Sequence, residues 1–423
     1  MFATFKQIFN RKNKELQKKI LFTFAALFIF KLGTTIIVPG IDKDSITGNL
    51  GFLELMNAMG GGAMEKFSIF ALGVMPYITA SIIIQFLQMD VVPYLSELSK
   101  QGITGRNKLN QITRVCGIIL AFIQGYIYSF TYVSANDPLQ YLGFALILTA
   151  GTSFLLWLGD QITAKGIGNG ISMIIMAGII ANIPTMFSTA FTSLIDLGAS
   201  TQAIALGVTM FALFILIYIA IILGIIFEET AERRIPIQYA NKSASSVGRQ
   251  QNYLPFKLNS AGVIPVIFAS AMISIPSIIA SFIKNDAITI FINKWIVMTT
   301  PTGLILYVLC IFGFAYIYTS IQLKTDELAD NLNKSGGFIP GVRPGEETTE
   351  YLNKIIRRIT FVGATALALI AALPIVFGMF SNMPTSVTLG GTGLLIVVGV
   401  ALETYKQIES QLISRTYTRG RRK

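Results

Sequence analysis

Residues capable of acid–base or metal chemistry are scarce in this sequence. The 423 residues include no histidine, the side chain that most often serves as general base, proton shuttle or metal ligand. The two cysteines, Cys116 and Cys310, lie in separate apolar segments, which is typical of small packed side chains. The run Gly166-x-Gly168-x-Gly170 does not follow a strand of a βαβ unit, so it does not indicate a nucleotide-binding loop. We therefore predict no catalytic residues, no metal site and no cofactor.

The elements that hold these residues are apolar segments long enough to span a membrane. Hydrophobic residues make up 53% of the chain and charged residues only 13%, against roughly 25% charged in soluble proteins. Apolar runs of roughly 18–24 residues suit a bilayer core of about 30 Å. They occur at ten places, namely 20–38, 69–88, 113–133, 142–159, 171–190, 206–227, 261–283, 302–323, 359–380 and 386–404. The sequence therefore predicts an all-α polytopic membrane protein with ten transmembrane helices.

The positive charges predict the orientation of these spans. Of the 33 lysines and arginines, all but a few lie on the same side of the predicted membrane as the N-terminus. The exceptions are Lys31, Lys43, Lys66, Lys284 and Lys294. Because cytoplasmic loops accumulate lysine and arginine, both termini are predicted to be cytoplasmic. The first span lacks a convincing small-residue cleavage site, so we predict that it is retained.

Two connections on the predicted cytoplasmic side are unusually long. Residues 228–258 and 324–358 each run about thirty residues, whereas most connections have only a few. The lysines and arginines in these loops have two interpretations. The charge can simply determine topology, or the loops can form a docking platform for an acidic or RNA-containing partner. Topology does not explain the length of the loops, and composition alone leaves both interpretations open.

Three classes of function are compatible with a polytopic helical protein. The first is a passive channel. The second is a secondary transporter, which usually needs acidic or histidine side chains at mid-membrane, but here Asp160 and Glu403 lie only near span ends. The third is an intramembrane hydrolase, which would need a Ser–His pair or two buried aspartates; histidine is absent and no such aspartate pair is visible. The channel is favoured, and a transporter of a small solute remains the alternative.

A series of motifs, in order along the chain, resembles the SecY family. The similarity extends from about residue 20 to residue 410. The matching segments include Leu72-Gly73-Val74-Met75-Pro76-Tyr77-Ile78, Gly166-Ile167-Gly168-Asn169-Gly170-Ile171-Ser172, Ala261-Gly262-Val263-Ile264-Pro265, Ala329-Asp330-Asn331-Leu332, Pro340-Gly341-Val342-Arg343-Pro344-Gly345 and Gly390-Gly391-Thr392. Because several blocks match in the same order, chance similarity is implausible.

The resemblance implies both an architecture and an activity. SecY proteins consist of two inverted five-helix halves that close like a clamshell around an hourglass pore, here 1–205 (spans 1–5) and 206–423 (spans 6–10). They are protein-conducting channels of the general secretory pathway in the bacterial cytoplasmic membrane. Unfolded preproteins pass through the pore, and membrane segments leave through a lateral gate. The implied partners are the SecE and SecG subunits, the SecA motor ATPase that supplies energy, the translating ribosome, signal sequences and membrane lipid.

The resemblance also implies a ring of apolar residues at the waist of the pore. Carried over by motif, the ring consists of Ile78, Ile82, Ile171, Ile175, Ile267 and Ile396. The first four form two i, i+4 pairs, and the members of each pair share one helical face. An apolar constriction binds no class of side chain strongly and resists ions by dewetting. Isoleucine in a membrane helix more often serves packing or lipid contact, so this assignment depends on the motifs.

Two further elements follow from the resemblance. A plug is expected near residues 53–64, where consecutive glycines supply backbone freedom; its predicted residues are Met56, Asn57, Met59, Gly60, Gly61, Gly62, Ala63 and Met64. A lateral gate is expected around polar residues that need partners inside the membrane. Its candidates are Gln85, Asn169, Ser270 and Ser274. Ordinary interhelical hydrogen bonds are the alternative explanation for these four.

The long loops supply the candidate docking residues. The segment 336–345 is rich in glycine and proline and is predicted to form a stiff turn that presents Arg343. By resemblance, the loops 228–258 and 324–358 dock SecA and the ribosome. Arginine pairs well with carboxylate and phosphate groups, so the predicted partner-binding residues are Arg343, Arg233, Arg234 and Lys257.

Overall fold

The structure, a computed structural model, is mainly helical. It describes residues 13–41, 57, 60–88, 91–133, 138–195, 198, 200–239, 252–283, 286–381 and 384–420. The helices are α1 Lys14–Gly33, α2 Met75–Leu87, α3 Pro93–Lys100, α4 Gly102–Tyr132, α5 Pro138–Lys165, α6 Gly170–Leu194, α7 Thr201–Thr230, α8 Ile264–Ile283, α9 Asp286–Trp295, α10 Pro301–Gln322, α11 Thr325–Lys334, α12 Glu346–Ser381 and α13 Thr385–Gly420. Three short strands are β1 Glu232–Tyr239, β2 Asn252–Lys257 and β3 Gly337–Phe338.

The predicted all-α membrane fold is confirmed. Each of the ten predicted spans overlaps a helix, and within the described ranges α4, α5, α6, α7, α10 and α12 are long and apolar enough to cross a bilayer. The second predicted span is shorter than expected. Its helix, α2, begins at Met75 rather than near residue 69 because Pro76 occupies the first turn, where its missing N–H costs nothing. Gly73 has a φ of 56° just before it, a conformation that favours glycine.

The chain divides into two compact units. Unit 1 contains Met1–Thr192 and Pro384–Lys423, and unit 2 contains Ser193–Met383. The last helix therefore packs with the first unit. The predicted boundary at residue 205 separates two inverted repeats in chain order, and this division stays a prediction.

Polar and apolar contacts hold α13 within unit 1. The backbone N–H of Gly168 donates to Oε1 of Gln407 at 2.7 Å, and that of Ile167 donates to Oγ1 of Thr23 at 3.0 Å. Ile167 is also buried in a cluster with Leu16 and Leu412. The loop before α6 is thus fastened to both the first and the last helix of the chain.

Close approaches at glycine shape the rest of unit 1. Phe70 stacks between Phe30 and Phe154, with ring centroids 6.4 and 5.8 Å away. Gly151 of α5 lies directly against the backbone of Ile69, and a Cβ at this position would overlap the Ile69 carbonyl oxygen. Packing at this density leaves no room for an extra methyl group. The turn 69–74 is held against α5 in this way.

Replacing Gly151 with alanine is therefore expected to destabilise the protein by about 1–3 kcal/mol, the usual cost of overpacking a tight interior. Thermal unfolding of the purified protein in detergent measures the effect. Gly143, in the same helix, has open space where its Cβ would be. Gly143→Ala is the matched control and is expected to be neutral or slightly stabilising, because alanine is the better helix former. Equal unfolding midpoints for the two variants would contradict the close approach.

Unit 2 combines apolar helices with a small sheet. Its helices α8, α10 and α12 pack in sequence, and α7 packs on α12. Aromatic contacts join them, including Phe268 with Phe314 at 5.2 Å and Phe312 with Phe361 at 6.0 Å. The strands have the order β2-β1-β3, and both pairings are antiparallel. The predicted loops 228–258 and 324–358 therefore contribute to one sheet.

Candidate functional site

Unit 1 holds five of the six predicted pore isoleucines, on three helices. Ile78 and Ile82 lie one turn apart on α2, and Ile171 and Ile175 lie one turn apart at the start of α6. Ile396 lies on α13. Ile175 and Ile396 are each 7% exposed, whereas the other three are half-buried.

Two of these helices come close together beside the isoleucines. Gly393 lies one turn before Ile396, and a Cβ at Gly393 would come within 2.9 Å of Cγ2 of Ile179. Ile179 in turn lies one turn after Ile175. The absence of a side chain at Gly393 lets α13 approach α6. The sixth isoleucine, Ile267, is half-buried on α8 of unit 2, and the ring as a whole remains a prediction.

The described part of the predicted plug is a tight glycine turn. The Gly62 N–H donates to the Asn57 carbonyl at 2.9 Å, and the Glu65 N–H donates to Oδ1 of Asn57 at 3.0 Å. Gly61 and Gly62 have φ values of 73° and 81°, which favour glycine. Gly60 and the adjoining Ala63 and Met64 are buried. Met56 and Met59 lie outside the described residues.

Two polar side chains that the sequence did not link to the predicted plug contact this turn. Nζ of Lys31, on α1, donates to the Gly61 carbonyl at 3.3 Å. Nδ2 of Asn182, on α6, donates to the Asn57 carbonyl at 3.2 Å. Both residues lie in predicted apolar spans, so their polarity at that depth was the available signal.

The predicted gate residues have local hydrogen bonds. Nε2 of Gln85 donates to Oγ of Ser81 one turn earlier, at 3.2 Å. Oδ1 of Asn169 accepts from the Ile171 N–H at 3.1 Å and caps α6, as asparagine commonly does at a helix N-terminus. Oγ of the buried Ser270 donates to the Ile267 carbonyl at 2.8 Å. The side chain of Ser274 lies outside the described residues. These bonds do not test a gate role.

The predicted docking arginines of β1 lie on an exposed part of the sheet. Arg233 and Arg234 pair with Phe256 and Pro255 of β2. The Arg234 guanidinium lies 4.7 Å from the Tyr253 ring centroid and 3.5 Å from the Glu232 carboxylate. Exposed ion pairs of this kind contribute at most about 1 kcal/mol. These contacts therefore orient the Arg234 side chain but hold it only weakly.

Lys257, at the end of β2, is also exposed and pairs with its neighbours. Its cross-strand partner is Glu232, and its Nζ lies 3.9 Å from the Glu229 carboxylate. The carboxylates of Glu229 and Glu232 lie close to Lys257 and Arg234 and partly compensate their positive charge. This arrangement suits a surface that exchanges one ionic partner for another.

Arg343 projects from a rigid tip. Its side chain is 85% exposed, and its guanidinium lies 3.7 Å from the Glu347 carboxylate. Its carbonyl accepts from Oγ1 of the buried Thr348 at 2.8 Å. Below the tip, Ile339 is buried with Phe256 of β2, in a cluster that also includes Ile235, Leu352 and Ile356. The predicted stiff turn is thus anchored through its backbone and through a small apolar core, while the guanidinium stays exposed.

Asp160 and Glu403 are the acidic side chains that were considered as coupling residues of a transporter. Asp160, near the end of α5, forms an ion pair with Arg114 of α4, and both side chains are about half exposed. Glu403 lies on α13, beyond Ile396, the predicted pore isoleucine of that helix. Neither position lies at the middle of its predicted span.

Together, these features define a class: a multi-pass helical membrane protein with a folded extension that is built from two of its loops and carries exposed arginines and lysines. Comparison with known proteins makes the assignment specific. The sequence model of the SecY family matches residues 68–405. The protein translocase subunit SecY of Halalkalibacterium halodurans is 46% identical over 433 aligned residues, which cover 99% of both chains. The chain belongs to the SecY family.

Solved structures agree with the fold. One of them is a SecY structure in which the plug domain stabilises the closed state of the translocation channel and maintains a membrane seal. It superposes on this chain with a TM-score of 0.65 at 19% identity. It covers 94% of this chain and 93% of the other. Sec61 from the canine ribosome–channel complex of the endoplasmic reticulum has a TM-score of 0.65 at 18% identity, with the same coverage.

Proposed function

We propose that this protein is a protein-conducting channel that passes unfolded preproteins across the bacterial cytoplasmic membrane, with both termini in the cytoplasm. The observation that carries the proposal is the 46% identity to a protein translocase subunit over nearly the whole of both chains. The channel itself is a passive conduit rather than an enzyme. Partner proteins supply the energy for movement.

The six isoleucines suit the narrowest part of such a channel. A translocating chain presents every type of side chain in turn, so a constriction that hydrogen-bonds some of them would stall. Isoleucine offers no hydrogen-bonding group, and a narrow apolar ring disfavours water and ions. The i, i+4 placement on α2 and α6 supports a ring formed by two adjacent layers of side chains.

The glycine turn suits a plug for the closed state. The related SecY structure assigns the membrane seal to its plug domain, and the turn here follows α1, as the predicted plug does. Within the described residues, Lys31 and Asn182 of neighbouring helices donate to the backbone of the turn, and such hydrogen bonds can be exchanged for bonds to water when the turn moves. We assign the same sealing function to residues 53–64.

A lateral gate near Gln85, Asn169, Ser270 and Ser274 would release signal sequences and membrane segments into lipid. Polar side chains in or at the start of apolar helices support this location, since local hydrogen bonds such as those of Gln85, Asn169 and Ser270 can be exchanged for bonds to a segment that enters. The SecE and SecG subunits are the expected companions of the channel within the membrane.

The folded extension suits the docking of cytoplasmic partners. Arg343, Arg233, Arg234 and Lys257 lie on one sheet and its adjoining tip, in exposed positions. Guanidinium groups bind both carboxylates and phosphates, so one surface can serve the SecA motor and the RNA of a translating ribosome. The similarity to Sec61 from a ribosome–channel complex supports the second partner.

The alternative considered from sequence, a transporter of a small solute, gains no support from the comparisons. The family matched and the relative reported above are concerned with protein translocation. Asp160 is paired with Arg114 near a helix end, which does not resemble a coupling site at mid-membrane.

Photo-crosslinking tests the path of the polypeptide. A crosslinking amino acid is placed at Ile82 or Ile267, and a secretory chain is stalled midway through export. We expect crosslinks from both positions. Ile83 is the matched control, because it is adjacent to Ile82 but 44% exposed on another side of α2. Crosslinking from Ile83 but from neither Ile82 nor Ile267 would show that the pore has been assigned to the wrong helix faces.

A further inference from the structure

The glycine turn is held by donors from two helices that are far apart in sequence. Lys31 comes from the last turns of α1, and Asn182 comes from the middle of α6. Each donates to a backbone carbonyl of the turn, Lys31 to Gly61 at 3.3 Å and Asn182 to Asn57 at 3.2 Å. The turn is therefore fixed through its main chain at two points.

The turn also lies against a small-residue face of α6. A Cβ on Gly61 would come within 3.3 Å of the Gly178 Cα, and one on Gly62 would come within 3.3 Å of Oδ1 of Asn182. Gly178 and Asn182 are separated by four residues and share one helical face. Glycine against glycine permits this close backbone approach, which brings Asn182 within hydrogen-bonding distance.

The contact lies next to a predicted pore isoleucine. Ile175 precedes Gly178 by three residues on α6, so it lies on a nearby part of the same helix surface. A turn seated on Gly178 is thus about one helical turn from the constriction. Movement of the turn away from α6 would uncover this part of the helix.

Two polar bonds suit a seal that must open. Lys31 carries a charge inside a predicted membrane span, where an unpartnered cation is costly, and the Gly61 carbonyl satisfies it. Hydrogen bonds from charged donors are stronger than neutral ones. Unlike buried apolar surface, both bonds can be replaced by bonds to water when the turn moves into an aqueous funnel. The closed state is then favoured without being irreversible.

We propose that Lys31 of α1 and Asn182 of α6 form a polar latch that holds the glycine turn, Asn57 with residues 60–62, against these two helices in the closed channel. The inference rests on the proposed sealing function of residues 53–64. The latch sets how readily the channel opens: a signal sequence must supply enough binding free energy to break it. Weakening the latch shifts the population towards the open state before any substrate arrives.

Ion leak through the purified translocase complex in liposomes tests the latch. Lys31→Met removes the ammonium but keeps an unbranched apolar chain, and Asn182→Leu removes the amide at similar volume. Each is expected to raise the leak about tenfold, which corresponds to about 1.4 kcal/mol. Lys31→Arg keeps a charged donor and is expected to restore most of the seal. Lys66→Met is the matched control, since within the described residues Lys66 has no hydrogen bond to the turn.

Deletion of residues 57–64 separates the two levels of the proposal. If the deletion leaks and the two latch variants do not, the latch is wrong and the plug assignment stands. If the deletion does not leak, both are wrong. Thermal unfolding of each complex is measured in parallel. A leak that appears only with a lowered unfolding midpoint, and equally in Lys31→Arg, would overturn the latch in favour of general destabilisation.

Discussion

Replacing Ile82 or Ile175 with asparagine is expected to raise the ion leak of the closed channel at least about tenfold. Burying an amide group without hydrogen-bond partners costs about 1–3 kcal/mol. Water that enters the constriction removes this cost by hydrogen-bonding the asparagine, so the hydrated state is stabilised by a similar amount. Hydration of an apolar constriction removes the barrier that excludes ions. The measurement is anion flux from liposomes that contain the purified complex, without SecA or substrate.

Neighbouring isoleucines provide matched controls for this substitution. Ile83 is adjacent to the predicted ring residue Ile82, and Ile180 is adjacent to Ile179, which lies beside Gly393 of α13. The two residues are 44% and 45% exposed. The same substitution at these positions introduces the same amide group on the same helices, but away from the predicted constriction. An equal leak from Ile83→Asn and Ile82→Asn would mean that loosened helix packing, not hydration of a ring, causes the effect.

Reversing the charge at Arg343 is expected to lower SecA-dependent export at least about thirtyfold while leaving the fold intact. Losing a charged contact at the centre of an interface typically costs 2–5 kcal/mol, and glutamate would repel the carboxylate or phosphate that arginine binds. The fold should tolerate Arg343→Glu because the side chain is 85% exposed and its ion pair with Glu347 is a surface contact. ATP-dependent translocation of a preprotein into vesicles measures the loss.

Two further variants distinguish a specific contact of Arg343 from a general effect of charge. Lys354 is exposed on α12, within the same loop 324–358, and Lys354→Glu changes the net charge by the same amount as Arg343→Glu. If the two variants are equally defective, the general charge of the extension matters rather than a specific contact. Arg343→Lys keeps the charge but loses the planar fork, so an intermediate rate is expected. Full activity of Arg343→Glu would show that Arg343 is not a docking residue.

Much of the fold was predictable because its signals are local. A membrane span needs a long apolar run whatever surrounds it, and each of the ten predicted spans overlaps a helix. The start of α2 was less predictable. The apolar run extends back to residue 69, but Pro76 and the backbone at Gly73 set the first turn at Met75. Hydropathy reports burial in lipid, whereas helix ends depend on backbone hydrogen bonding.

The sheet could not be predicted from the loops that form it. The loop 324–358 was expected to present a stiff tip, which the anchored turn around Arg343 supports. However, its strand β3 has only two residues, and the pairing of Gln238 with Phe338 joins positions a hundred residues apart. Strand pairing depends on a partner that local sequence does not reveal. That pairing accompanies the burial of Ile339, next to the tip that carries Arg343, in one cluster with Ile235 of β1 and Phe256 of β2.

The sequence by itself determined the membrane class and the family, and it predicts ten spans and a positively charged cytoplasmic face, because each depends on composition or on motifs within short segments. Only the tertiary structure decided which residues contact the glycine turn. Lys31 and Asn182 are separated by about 150 residues along the chain, and each reads alone as an isolated polar residue in an apolar span. The fold places both beside the same turn, where the bare backbone at Gly61 and Gly178 allows α6 to come close enough to bond. Such a contact depends on distances in space, which no local pattern encodes.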